Sequence, residues 1–81
     1  MDVVLELKGH CIETAAKKRY EKLVSELLKS ENPEKEKELE LLVEFLKNAD
    51  FKVLRSRGFD GSRRISVRIR KVDGDFVVEE I

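Results

Sequence analysis

The apolar period of this 81-residue chain changes twice, and that succession limits its folds more than any other feature. Residues 2–8 alternate. Val3, Leu5 and Leu7 fall on one side and Val4, Glu6 and Lys8 on the other, which is the period of a strand with one buried face. Gly9 breaks the pattern. Residues 11–29 then recur at helical spacing, with Ile12, Ala16, Tyr20, Leu23, Val24 and Leu27 on one arc and Lys18, Lys22, Ser25 and Lys29 opposite.

Residues 30–33 stop one helix and start another. Asn32 can accept from the first free amides of the next helix, and Pro33 suits the first helical position, where a missing N–H costs nothing. Glu34 and Glu36 suit the positive end of its dipole. Leu39, Leu42, Val43, Leu46 and Ala49 mark the second apolar stripe, so an antiparallel helical hairpin is expected. Leu41 and Phe45 lie four apart and off that stripe, and they are the candidates for a protein interface. The alternative is a helix that touches two neighbours and needs a wide apolar arc.

From residue 51 the pattern reads as strands. Residues 51–57 are a strand candidate, and the glycine-flanked residues 58–62 have the composition of a hairpin loop. Residues 63–71 alternate, with Ile65, Val67 and Ile69 against Arg64, Ser66, Arg68 and Arg70. Asp73 and Gly74 signal a tight turn before a last strand over residues 76–81. The expected architecture is a single α+β domain over residues 1–81 in two layers and β-α-α-β-β-β order. A four-stranded, largely antiparallel sheet would carry the helical hairpin on one face. The last three strands would form a meander, and the first would sit at an edge or enter parallel to a neighbour.

Charge is the strongest functional hint. The chain is neutral overall, yet residues 51–71 hold eight basic side chains and one acid, Asp60. Arg64, Arg68 and Arg70 would stripe the open sheet face, while Arg55, Arg57, Phe59, Arg63 and Arg64 would surround the hairpin tip. Arginine forks take two phosphate oxygens at once, and an aromatic among them can stack on an unpaired base. That makes these seven residues the candidate nucleic-acid site. The competing expectation is a solvated sheet face on which Glu6, Glu79 or Glu80 pairs with the arginines across strands.

Other chemistry finds little support. His10 and Cys11 are the only histidine and cysteine, too few for a single-chain zinc site, and read as polar residues at a strand-to-helix junction. Gly58 and Gly61 lack the spacing of a phosphate loop. Neither a cofactor, a metal, a membrane partner nor a small-molecule substrate is expected. A lone cysteine, no apolar run near the ~20 residues of a bilayer span, and an acidic, alternating start that is unlike a secretory signal give a cytoplasmic expectation. Charged residues make up 42% of the chain and glutamine is absent, a composition like that of thermophile proteins. The expected function is a non-catalytic binding protein that mediates protein–protein assembly, as a homodimer or with another chain, through Leu41 and Phe45 or an open sheet edge. The alternative is a nucleic-acid-binding module built on the arginines.

Overall fold

The computed structural model describes residues 2–81. Its elements run β1 (Asp2–Glu6), α1 (Ile12–Leu27), α2 (Pro33–Asn48), α3 (Phe51–Ser56), β2 (Ser66–Val72) and β3 (Asp75–Glu80). The order is β-α-α-α-β-β. The antiparallel sheet has three strands, in the order β1-β2-β3, with β1 at an edge.

The difference from the expected four strands lies in residues 51–57. Asp50 accepts a hydrogen bond from the Val53 amide (3.2 Å) and starts a helix. Gly58, at φ +99°, ends it. The Gly58 amide donates to Arg55 O and the Phe59 amide to Leu54 O, which satisfies the last carbonyls. Phe51 and Leu54, three apart, turn inward, whereas Val53 is half exposed. The expected 51–71 hairpin is therefore a helix, an irregular segment and a strand, and the meander shrinks to β2 and β3. Their turn, at Asp73 and Gly74, has both residues at positive φ, as a two-residue hairpin requires.

The two long helices form as their patterns require. Asn32 accepts from the Lys35 amide at 3.2 Å, and Pro33 opens α2. Val3, Leu5 and Leu7 from one end of the chain meet Val67, Ile69 and Val78 from the other. Ile12, Ala16 and Leu23 of α1 close over them. Tyr20, expected on the buried arc, lies at its rim and is 36% exposed.

Helix α2 is rotated from the expected stripe. Leu42 and Phe45 are fully buried, and Leu41 is nearly so, while Leu39 and Leu46 flank the core. The Phe45 ring packs edge-on against Phe51 (5.4 Å) and Phe76 (5.5 Å). Leu41 and Phe45 consequently offer no surface to a partner. The off-stripe pair is the centre of an arc widened by contact with both the sheet and α1.

The segment after α3 is held by main-chain contacts. Phe59 O accepts from the Ile12 amide at 3.0 Å, and Asp60 accepts from both the amide (3.0 Å) and the hydroxyl (2.6 Å) of Ser62. Gly61, at φ +93°, lies where a Cβ would approach Gly9 O to 2.9 Å.

These contacts set three expectations. Phe45→Ala should lower the unfolding free energy by about 3–5 kcal/mol in urea denaturation, and a loss below about 1 kcal/mol would contradict its place in the core. Gly61→Ala should cost about 1–3 kcal/mol, because the new methyl group meets backbone rather than a movable side chain. Hydrogen bonds from Ser62 hold the Asp60 carboxyl below its ordinary value, and the Lys35 ammonium does the same for Glu26. A depressed folded pKa gives stability that is complete above the ordinary carboxylate range, about pH 4, and that disappears as pH falls through the folded value. Melting temperature should drop on acidification in that range, and less steeply in Asp60→Asn.

Candidate functional site

The register decides which side chains share the open sheet face. Asp2 lies opposite Arg70, Val4 opposite Arg68 and Glu6 opposite Ser66. On the other side Arg68 lies opposite Glu79 and Arg70 opposite Val77. Four carboxylates (Asp2, Glu6, Asp75 and Glu79) thus stand around two arginines. Arg68 reaches Asp2 at 3.7 Å, and Arg70 pairs with Glu79. The stripe of positive charge visible in β2 alone is cancelled by acids from both neighbouring strands.

The other arginine candidates separate in space. Arg55 sits on α3 and pairs with Glu13 of α1 at 3.5 Å. Arg57 caps the end of α3, its guanidinium 5.7 Å from the centre of the Phe59 ring. Arg63 pairs with Glu80 at 3.1 Å and lies against Gly58. Arg64 alone of the six makes no ion pair or ring contact among the described residues. Phe59 is a core residue, 4% exposed, with no free face for a base. Sequence reasoning placed these groups at a hairpin tip, and the helix at 51–56 disperses them.

His10 and Cys11 do not form a unit. Lys18 Nζ donates to His10 Nε2 at 3.3 Å, while Cys11 Sγ lies 3.2 Å from Thr14 Oγ1. The bond to the Thr14 side chain, then that to its amide, lowers the Cys11 thiol below its ordinary value. Among the described residues no three His, Cys, Asp or Glu side chains converge as metal ligands would, and no helix is long and apolar enough to cross a membrane.

The less expected features are the sheet edges. Among the described residues only β2 is paired on both sides. The Leu7 amide donates to Ile65 O (2.9 Å), and the Ile81 amide to Ser66 O (3.0 Å). In antiparallel ladders hydrogen-bonded pairs alternate. Val3, Leu5 and Leu7 therefore bond β2, while Asp2, Val4 and Glu6 turn their main-chain groups to the free edge. On β3, Phe76, Val78 and Glu80 do the same.

A groove runs beside each edge. Beside β3, a groove of about 550 Å³ is walled by Ala49, Val53, Leu54, Phe76 and Val78, with Asp50, Arg57 and Asp75 at its rim. Beside β1, a groove of about 510 Å³ is bordered by α1 and carries Lys8, His10, Lys18, Arg19 and Lys22. The β3 groove is not legible in the sequence, because residues 51–57, which hold its outer wall, have the pattern of a strand. The basic wall of the β1 groove is visible as Lys18 and Lys22 on the outer arc of α1, but not its juxtaposition with the strand.

No solved structure matches the chain. A protein of Archaeoglobus fulgidus, a thermophilic archaeon, described as an uncharacterized protein, is 66% identical over 85 aligned residues, covering 100% of both chains. That source accords with the charge-rich composition. A family profile matches residues 1–79, and the chain belongs to that family.

Proposed function

We propose that this protein is a non-catalytic assembly module that pairs with a second copy of itself through the free edge of β3. The observation that carries the reading is the coincidence of unpaired main-chain groups on β3 with a groove beside them that has apolar side chains, Val53 and Phe76 among them, in its walls. An unpaired edge is a template for another strand, and proteins that do not use such an edge cover or blunt it. Here Val53, 49% exposed, and the half-buried Phe76 lie beneath it.

The side chains also favour one register. Two β3 strands that cross antiparallel about Val78 place Phe76 opposite Glu80, Val77 opposite Glu79 and Asp75 opposite Ile81, with no like charges opposed. Centring the pair on Val77 would set Asp75 against Glu79, which is unfavourable. A stable interface covers about 800 Å² per partner, more than a six-residue strand supplies alone, so the α3 faces join across the dyad. Val53 of each copy would then be covered. The nucleic-acid reading has less support, since five of the six candidate arginines are engaged within the chain.

In sedimentation velocity the protein should be a dimer, and its melting temperature should rise with concentration. Val53→Lys should give a monomer with the same fold by circular dichroism. A wild-type chain that stays monomeric up to its solubility limit would refute the proposal.

A further inference from the structure

The opposite edge of the sheet differs in character. Beside β1 the groove is lined by basic side chains. Lys8, Lys18, Arg19 and Lys22 face it, against one lining carboxylate, Glu6. Arg19 is committed to Glu38 at 2.8 Å, and Lys8 lies 3.5 Å from Glu6. Among the described residues neither Lys18 nor Lys22 forms an ion pair; Lys18 hydrogen-bonds His10, and Lys22 acts on Glu26 only through space.

We infer that this groove binds an acidic, extended segment of a partner protein, which adds to β1 as a further strand. The outward N–H and C=O groups of Val4 and Glu6 supply the main-chain ladder, as in other strand-addition complexes. The adjacent helix sets the sequence preference. Lys18 and Lys22, four apart on α1, are separated by about 6 Å along the helix axis. Alternate side chains of a strand are separated by about 6.6 Å. Acidic residues at every second position of the segment would therefore meet successive lysines. The intervening side chains would lie on the open sheet face beside Val4, which is 48% exposed, where an aliphatic group is favoured. The preferred ligand alternates acidic and aliphatic residues. A nucleic acid could satisfy the lysines but not the alternating donors and acceptors of the strand.

This inference goes beyond the β3 proposal and does not depend on it, because the two edges lie on opposite sides of β2. The test is fluorescence anisotropy with a labelled, end-capped decapeptide of alternating glutamate and valine. It is compared with its lysine–valine counterpart, with the glutamate peptide N-methylated at alternate residues, and with a single-stranded oligonucleotide. The glutamate peptide should bind, more weakly as salt rises. Lys18→Glu combined with Lys22→Glu should weaken it at least about tenfold. Alternate N-methylation, which removes main-chain donors without touching the protein, should abolish binding in one of its two registers. Val4→Pro, which removes an edge donor that the β1–β2 ladder does not use, should have the same effect on the unmodified peptide. Val53→Lys should leave peptide binding unchanged, so that failure at β3 is distinguishable from failure here. Absence of glutamate-peptide binding at low salt, equal binding of both N-methylated registers, or lysine-dependent binding of the oligonucleotide alone would overturn the inference.

Discussion

Phe45 is where the helices and the sheet are joined. Its ring is fully buried between Phe51 of α3 and Phe76 of β3, so two successive helices and a strand distant in sequence meet at one side chain. A chain of this size buries a smaller fraction of its surface than a large one and has few large side chains with which to do so. The edge-on contacts add about 0.5–1.5 kcal/mol per pair beyond the burial of area. They also fix the rotation of α2. Once Phe45 faces the sheet, Leu41 and Leu42 must follow it inward, and the outward arc of α2 becomes polar.

The same constraint shapes the surface. With Phe51 drawn toward Phe45, residues 51–56 coil into α3 rather than extending into a strand, and the sheet stops at three strands. Two consequences follow from that one choice. Arg55, Arg57 and Arg63 scatter over a helix end and an irregular segment, where they meet Glu13, Phe59 and Glu80. Both outer strands are left with unpaired main-chain groups, each beside a groove of contrasting chemistry. One groove has apolar walls under a charged rim and the other is lined by basic side chains, so the two edges of one small sheet differ in chemistry.

The sheet face illustrates how local charge misleads. Read along β2, Arg68 and Arg70 form a basic stripe. Read across the sheet, each stands among acids supplied by β1 and β3. Exposed pairs of this kind contribute little to stability, typically under about 1 kcal/mol each. Their larger effect is on the potential, because the stripe no longer presents net positive charge to a polyanion. The half-exposed Val4 between them leaves the face neither strongly charged nor strongly apolar.

Much of this was legible in the chain itself. The alternation of residues 2–8 and 65–69, the cap at Asn32 and Pro33, and the turn at Asp73 and Gly74 each arise from interactions within a few residues, and each element formed where its local chemistry required. The helix at 51–56 was also written locally, in Asp50 and Gly58 placed eight apart at its two ends, but six residues with one β-branched side chain do not distinguish the two periods. The burial of Leu41, Phe45 and Phe59, the pairing of the arginines and the two grooves were decided by tertiary structure alone. Each depends on which distant residue becomes a neighbour, and a one-dimensional pattern records how a side chain repeats, not what it meets.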